Sequence, residues 1–230
     1  MLITPITNEL FRVYKILVTG GNGQLGSEIK ELSSSFTNDS FFFTDTSNLD
    51  ITNHAVVAAF IKTNNIDVIV NCAAYTAVDK AESEPELADA INHLAVKNLA
   101  IIAKERGAKL IHISTDYVFN GDHFLPYKES DSVSPIGVYG KTKREGELAV
   151  INSTLDAIVI RTSWLYSSYG NNFVKNNFNG KQACCACDAT PPMGKNHPFS
   201  KIAVTLEPVM QFGCPSRFRI SKQYVSFSIL

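Results

Sequence analysis

The stretch Lys15-Ile-Leu-Val-Thr-Gly-Gly-Asn-Gly-Gln-Leu-Gly26 combines a short apolar run with closely spaced glycines. The run from Lys15 to Thr19 is typical of a buried β-strand, and the segment from Gly23 to about Ser34 is predicted to be a helix. The turn between them needs a glycine that tolerates a positive φ, one that lets backbone amides approach a ligand, and one that allows close helix–strand packing. Gly20, Gly23 and Gly26 match these needs. The pattern indicates that phosphates bind at the helix N-terminus.

The alternation of strand and helix continues along the next 135 residues or so. Further strands are predicted at 41–44, 67–71, 109–114 and 157–161, and helices at 52–64 (with Thr52 as N-cap), 84–106 and 136–151. Such alternation predicts a parallel sheet with helices on both faces. The fold class is therefore α/β, a Rossmann-type doubly wound parallel sheet. Its ligands should bind beyond the carboxyl ends of the strands.

Composition excludes several classes of protein. The chain has 230 residues, 45% apolar and 19% charged, with a net charge of -1. These values predict a globular protein with no electrostatic preference for nucleic acid or an anionic membrane. No apolar run is long enough for a membrane helix, and the N-terminus lacks the pattern of a signal peptide. We expect a cytoplasmic protein with no nucleic-acid or membrane partner.

The cysteines do not predict a disulfide framework or a metal centre. Only Cys72 precedes position 184, whereas Cys184, Cys185, Cys187 and Cys214 cluster near the end of the sequence. No second Cys-x-x-Cys and no spaced histidine pair accompanies the cluster, so no metal site is expected.

Two acidic residues follow the second predicted strand. Asp45 lies nineteen residues past Gly26, where an acid accepts hydrogen bonds from the adenosine ribose of a bound dinucleotide. An acid here disfavours a 2′-phosphate and so favours NADH, although NADPH stays open. Asp50 could accept a hydrogen bond from the adenine amine, or it could cap the helix that follows.

A tyrosine and a lysine share one face of the helix predicted at 136–151. Tyr139 and Lys143 are four residues apart, and a neighbouring ammonium group favours the phenolate form of tyrosine. Thr115, after the fourth predicted strand, could hydrogen-bond and polarise a substrate carbonyl. Ser114 should point to the opposite side of the strand. The alternative for Thr115 is a hydroxyl that only caps backbone groups.

Several motifs together resemble the dTDP-4-dehydrorhamnose reductase family of extended short-chain dehydrogenases/reductases. They are Thr19-Gly-Gly-Asn-Gly-Gln-Leu-Gly26, Asn71-Cys-Ala-Ala-Tyr-Thr-Ala-Val-Asp-Lys-Ala-Glu82, Ser114-Thr-Asp-Tyr-Val-Phe119, Val138-Tyr-Gly-Lys-Thr-Lys143 and Arg161-Thr-Ser-Trp164, which Asn171-Asn-Phe-Val174 follows. The resemblance covers about residues 15–174. It implies NAD(P)H-dependent reduction of the 4-keto group of dTDP-4-dehydro-L-rhamnose, with a dTDP-sugar as substrate and a possible homodimer.

The resemblance also implies roles for individual residues. Thr115, Tyr139 and Lys143 would be catalytic, with Tyr139 protonating the sugar oxygen and Lys143 lowering the tyrosine pKa and holding the nicotinamide ribose. Asn92 would have a structural or proton-relay role. The residues that would contact NADPH or NADH are Gly20, Gly23, Gln24, Leu25, Gly26, Asp45, Asp50, Ala73, Ala74, Tyr75, Tyr139 and Lys143. Those that would contact the sugar nucleotide are Thr115, Asp116, Trp164, Asn171 and Asn172.

The final part of the sequence does not fit this pattern. We expect an N-terminal extension at 1–14, the dinucleotide-binding domain at 15–178 and an aberrant tail at 179–230, so that the C-terminal substrate domain is truncated or replaced. A shifted reading frame is one hypothesis, which the nucleotide sequence encoding residues 173–180 would test.

Two other functions remain open at this stage. One is a non-catalytic dinucleotide-binding module or inactive truncated reductase. The other is an epimerase or dehydratase of the same superfamily. Such dehydratases usually carry an acidic pair beside the catalytic threonine, but here Tyr117 follows Asp116, which argues against that reading.

Overall fold

The structure is a computed structural model that describes residues 13–122, 127–153, 156–163, 165–170 and 172. The predicted tail at 179–230 and the cysteine cluster lie outside the described residues, as does most of the predicted N-terminal extension. Trp164 and Asn171 also lie outside them.

Five parallel strands form one sheet. They are β1 (Lys15–Thr19), β2 (Ser40–Thr44), β3 (Val68–Asn71), β4 (Lys109–Thr115) and β5 (Ala157–Thr162), in the order β2-β1-β3-β4-β5. The chain leaves β1 toward β2 on one side and returns to β3 on the other side, so the strand order reverses at β1. Ligands of such sheets bind in the crevice at this point. The prediction of a Rossmann-type parallel sheet is confirmed.

The helices connect these strands. They are α1 (Gln24–Ser33), α2 (His54–Asn64), α3 (Val78–Ala81), α4 (Pro85–Asp89), α5 (Ala95–Arg106) and α6 (Val138–Ser153). The main core lies between one face of the sheet and α2, α5 and α6, where buried aliphatic side chains such as Leu17, Ile69, Leu99 and Leu110 meet. Within the described part of the chain, no helix combines the length and apolarity needed to cross a membrane.

The helix predicted at 84–106 is not continuous. A π-helical turn, Ala90–Leu94, separates α4 from α5. The side chain of Asn92 inside this turn accepts a hydrogen bond from Tyr75 N (2.9 Å) and donates one to Tyr75 O (3.1 Å). Apolar periodicity carries no signal for these tertiary bonds, and π-turns occur often at functional sites.

The N-cap of α2 also differs from the prediction. Asn53, not Thr52, caps the helix, because its side-chain oxygen accepts a hydrogen bond from Val56 N. Thr52 instead donates both its N–H and its hydroxyl to Asp50. Asp50 is thereby part of the turn that precedes the helix.

Candidate active site

A cleft runs along the carboxyl ends of the strands. Its volume is about 450 Å³, and residues at or just after the end of each of the five strands contribute to its wall. The members of the predicted site that line it are Gly20, Gly23, Gln24, Leu25, Gly26, Asp45, Asp50, Ala73, Ala74, Tyr139 and Lys143. The arrangement agrees with the general position of ligands in open α/β sheets.

The glycine loop, residues 20–26, is packed too tightly for a side chain at two of its positions, Gly20 and Gly26. Gly20 has a φ of 66°, and a Cβ there would lie 2.7 Å from the backbone nitrogen of Ala73. A Cβ on Gly26 would collide with the Gly20 carbonyl oxygen. No side chain caps the N-terminus of α1, so its first N–H groups are free of that competitor. These features fit a diphosphate held against the helix N-terminus.

Asp45 is held in place at one end of the cleft. Its carboxylate accepts hydrogen bonds from the Asn22 amide and from the hydroxyl (2.5 Å) and N–H (2.8 Å) of Ser47. The bond from the Ser47 side chain, followed by that from its backbone, lowers the pKa of Asp45. The carboxylate is therefore ionised near neutral pH, as an acceptor for ribose hydroxyls must be.

The segment that follows β3 places two of its three predicted residues in the cleft. Ala73 and Ala74 line it, as does Cys72, whereas Tyr75 does not. The Tyr75 hydroxyl donates to Glu84 (2.7 Å), and its ring packs in a second apolar cluster. Asn92 binds the backbone of Tyr75 and also donates to the Thr142 hydroxyl (3.3 Å) on α6. Tyr75 therefore anchors the segment that follows β3 and does not form part of the cleft wall.

Tyr139 lines the other end of the cleft, and Thr115, which does not line it, lies next to the Tyr139 phenol. The Thr115 hydroxyl hydrogen-bonds the Tyr139 phenol, which lowers the phenol's pKa against the larger effect of burial. The same hydroxyl accepts a bond from Tyr117 N (3.2 Å), as a hydroxyl that caps backbone groups does, and its action on a substrate carbonyl stays a prediction. Ser114 lines the cleft.

Burial controls the acidity of the two predicted catalytic groups on α6. Burial, with smaller contributions from the neighbouring Asp116 and Tyr117, raises the pKa of Tyr139 to about 12. Burial lowers the pKa of Lys143 to about 8. Lys143 Nζ donates to the Ile113 carbonyl oxygen (2.6 Å). The expected lowering of the tyrosine pKa by Lys143 does not appear, because Lys143 is not among the groups that shift the pKa of Tyr139.

A buried ion pair supports this part of α6. Glu147 is fully buried, and its two carboxylate oxygens accept bonds from Arg161 Nε (2.8 Å) and Nη2 (2.7 Å). Arg144 adds a third bond (2.7 Å). Glu147 lies one turn beyond Lys143, and its charge favours the protonated ammonium. The sequence analysis did not identify this pair, although the i,i+4 spacing from Lys143 was a possible signal.

Asp116 lies beside Thr115, at the start of a 3₁₀ turn, Asp116–Val118. Its carboxylate accepts a bond from the Thr115 hydroxyl (3.1 Å). Burial raises the pKa of Asp116 to about 6, and the Thr115 bond opposes this. The half-buried Asp116 is therefore adjacent to the Thr115–Tyr139 pair.

The chain after β5 crosses over α1. Asn172 donates to the Gln24 side chain (3.1 Å) and to the Ser167 carbonyl oxygen (2.7 Å). Ser167 donates to Glu28 on α1 (2.6 Å). Because Gln24 lines the cleft, this crossing braces the cleft wall. Asn172, predicted to face the sugar nucleotide, has its amide bound to these groups.

A further residue missed by the sequence analysis is Glu82, which follows α3. Its carboxylate accepts a bond from Val138 N (2.8 Å) at the first residue of α6. A carboxylate is favourable at a helix N-terminus. This contact fixes the helix end next to Tyr139, and it joins residues 56 positions apart.

The parallel sheet, the glycine loop and the paired Thr115 and Tyr139 define a Rossmann-type protein of the short-chain dehydrogenase/reductase class. Residues 14–183 match the family described as the RmlD substrate binding domain, and the chain belongs to this family.

Relatives of known name agree with this assignment. A dTDP-4-dehydrorhamnose reductase from Escherichia coli (strain K12) is 43% identical over 162 residues, which cover 70% of this chain and 54% of that protein. The crystal structure of a dTDP-4-dehydrorhamnose reductase from Clostridium acetobutylicum is 47% identical, with a TM-score of 0.69, and the match covers 72% of this chain and 58% of that one.

A third relative was solved with a nucleotide. The dTDP-4-dehydrorhamnose reductase from Bacillus anthracis, in complex with NADP, is 40% identical with a TM-score of 0.71. The match covers 73% of this chain and 59% of that chain. The chain spans about half the length of the curated relatives that it matches.

Proposed function

We propose that this chain binds NADH or NADPH and reduces the 4-keto group of dTDP-4-dehydro-L-rhamnose to give dTDP-L-rhamnose. The observation that carries the proposal is the position of Tyr139 and Lys143 in the same cleft as the glycine loop, with Thr115 bonded to Tyr139. The names of the relatives support the choice of substrate. The NADP bound to the Bacillus anthracis protein supports the choice of cofactor.

The residues would hold the dinucleotide along the whole cleft. Gly20, Gly23 and Gly26 would accommodate the diphosphate, Asp45 the adenosine ribose, and Ala73 and Ala74 the middle of the cofactor. Bound NADH or NADPH supplies the hydride for the carbonyl carbon. Lys143, with its low pKa and its bond to the Ile113 carbonyl, is fixed where a ribose hydroxyl could meet its remaining N–H groups.

Tyr139 would donate the proton to the carbonyl oxygen. A phenol with a pKa near 12 is protonated at neutral pH, which is the state that reduction requires. The alkoxide that develops as hydride arrives is about as basic as hydroxide, whose conjugate acid has a pKa of about 15.7. Proton transfer from Tyr139 is therefore downhill without a large lowering of its pKa. Thr115 would orient the phenol and the carbonyl.

The test separates cofactor binding from turnover. Binding of NADH and NADPH is measured by nucleotide fluorescence, and turnover by loss of absorbance at 340 nm with dTDP-4-dehydro-L-rhamnose. We expect both. Binding without turnover would support a second candidate, a dinucleotide-binding module without reductase activity. That candidate is favoured by the match to only about half of the relatives' length.

Location and assembly are further parts of the proposal. We infer a cytoplasmic protein from the composition and the absence of a disulfide pattern, and a possible homodimer from the family resemblance. Size-exclusion chromatography with light scattering tests the oligomeric state, and a monomer at micromolar concentration would contradict the dimer.

A further inference from the structure

The strap, residues 165–170 and 172, follows β5 and crosses one face of α1. It donates hydrogen bonds to three α1 side chains at helix positions i, i+4 and i+7, which share one face of a helix. The bonds run from Asn172 to Gln24 (3.1 Å), from Ser167 to Glu28 (2.6 Å) and from Tyr169 to Glu31 (3.0 Å). Of these three α1 side chains, only Gln24 lines the cleft. The bond from Asn172 is therefore the one through which the strap acts on the cleft wall.

The backbone of Ser167 fixes the orientation of the Asn172 amide. A backbone carbonyl oxygen only accepts hydrogen bonds, so the Asn172 atom that lies 2.7 Å from the Ser167 oxygen must be the amide nitrogen. This nitrogen carries two protons, and the second one is donated to Gln24 Oε1. Both N–H groups of the buried Asn172 side chain are thus used inside the protein, and neither is left for a sugar nucleotide.

The orientation of the Gln24 amide follows from that of Asn172. A glutamine amide has one oxygen that accepts and one nitrogen that donates, and the oxygen is the atom bonded to Asn172. Among the described residues, no group accepts a hydrogen bond from the Gln24 side-chain nitrogen. The strap also confines the side chain, because a Cβ on Gly170 would lie only 2.8 Å from Gln24 Cγ. The group that Gln24 retains for a ligand in the cleft is therefore a hydrogen-bond donor.

We propose that Asn172 is a positioning residue that holds the oxygen of the Gln24 amide, so that Gln24 presents its N–H group to the diphosphate of a bound dinucleotide. Gln24 is the first residue of α1, directly after Gly23, at the helix end where the diphosphate lies in the proposed function. Diphosphate oxygens are charged acceptors, so a donor here is favourable and an amide oxygen in its place is repelled. The proposal rests on the dinucleotide binding that is part of the proposed function.

A double-mutant cycle on the binding of ADP-ribose, which carries the diphosphate without the nicotinamide, tests the proposal without any need for turnover. Isothermal titration calorimetry measures the Kd. We expect Gln24→Leu to raise the Kd by about tenfold to a hundredfold, because a hydrogen bond to a charged group is lost. Asn172→Ala should raise it by about threefold to tenfold, since the Gln24 amide is then free to turn. The double variant should bind as Gln24→Leu does, and independent losses that multiply would overturn the proposal.

Two further variants separate orientation of Gln24 from general loosening of the strap. Tyr169→Phe is the matched control, because it removes the strap bond to Glu31 and leaves the Asn172 bond to Gln24 in place. We expect its Kd for ADP-ribose to stay within about twofold of that of the unmodified chain, and a loss equal to that of Asn172→Ala would overturn the proposal. Gln24→Glu keeps an acceptor for Asn172 but turns a charged oxygen toward the diphosphate. It should weaken binding at least as much as Gln24→Leu, and unchanged binding would likewise overturn the proposal.

The same titrations with NADH distinguish failure of this proposal from failure of the proposed function. Asn172→Ala should weaken the binding of NADH and of ADP-ribose by the same factor, and a loss confined to NADH would move the acceptor to the nicotinamide and overturn the assignment to the diphosphate. If the unmodified chain binds ADP-ribose but reduces no ketone, the reductase function fails and the cycle still decides the role of Asn172. If it binds neither nucleotide, both proposals fail. Circular dichroism verifies that each variant is folded.

Discussion

The glycine-loop end of the cleft is built from backbone, whereas its Tyr139 end is built from side chains on separate elements. At the loop, Gly20 and Gly26 approach other backbone atoms so closely that no side chain fits there, and the loop itself consists of seven consecutive residues. At the other end, Thr115 is the last residue of β4, while Tyr139 and Lys143 lie on α6. Cofactor binding and proton transfer therefore depend on different parts of this chain. Substitutions at one end should change the Kd for the cofactor, and substitutions at the other end should change kcat.

The largest expected effect is a fall in kcat when the Tyr139 end of the cleft is changed. Tyr139→Phe removes the proton donor but keeps the ring that packs against Tyr117. We expect kcat to fall by about 10²- to 10⁴-fold, the usual contribution of a positioned acid, with the Kd for NADH changed less than about threefold. Stopped-flow reduction and fluorescence titration measure the two quantities. Equal losses in kcat and in binding would show that the two ends of the cleft are not separable.

The second largest expected effect is a loss of stability when the buried ion pair that supports the Tyr139 end is broken. Glu147→Gln leaves the buried Arg161 without its charged partner, which should lower the free energy of unfolding by about 3–5 kcal/mol. Glu145→Gln, an exposed change on the same helix, should have almost no effect. The double variant Glu147→Leu/Arg161→Met should recover part of the loss, because neither member of the Glu147–Arg161 pair is then left as a buried charge without its partner. Urea denaturation measures all three, and equal stabilities for the Glu145 and Glu147 variants would contradict the expectation.

The sequence could predict the features formed by neighbouring residues but not those formed by residues far apart in the chain. The glycine loop is local, so the strand, the turn and the start of α1 follow from consecutive residues, and the strand bounds of β1 match the prediction. Tyr139 and Lys143 are one helical turn apart and were found for that reason. The Glu147–Arg161 pair, the Glu82 contact to α6 and the Asn92 bonds to Tyr75 join distant residues. Their partners are set by how the elements pack, which no local pattern encodes.

The third largest expected effect is weaker cofactor binding when a side chain is added in the glycine loop. Gly26→Ala places a Cβ against the Gly20 carbonyl oxygen, so the loop must shift. Overpacking of this kind costs about 1–3 kcal/mol, and we expect the Kd for NADH to rise by roughly fivefold to a hundredfold. Ser34→Ala is the control, because Ser34 is exposed at the far end of α1 and does not line the cleft. Circular dichroism verifies folding, and equal affinities for both variants would refute a tight cradle at Gly26.

The smallest expected effect is a change in the preference between NADPH and NADH, which is set at the glycine-loop end. Asp45 is predicted to contact the adenosine ribose of the cofactor through a charged side chain, and its lowered pKa keeps it ionised. A 2′-phosphate carries a charge of about −1.5 to −2, so Asp45 should repel NADPH more than NADH. We expect Asp45→Asn to change the ratio of the two Kd values by about tenfold in favour of NADPH, because Asn keeps the shape and removes the charge.

Asp50→Asn removes the same charge elsewhere in the cleft and should change the ratio by less than about twofold. An equal shift in both variants would mean that the net charge of the cleft, not a contact at the ribose, selects the cofactor.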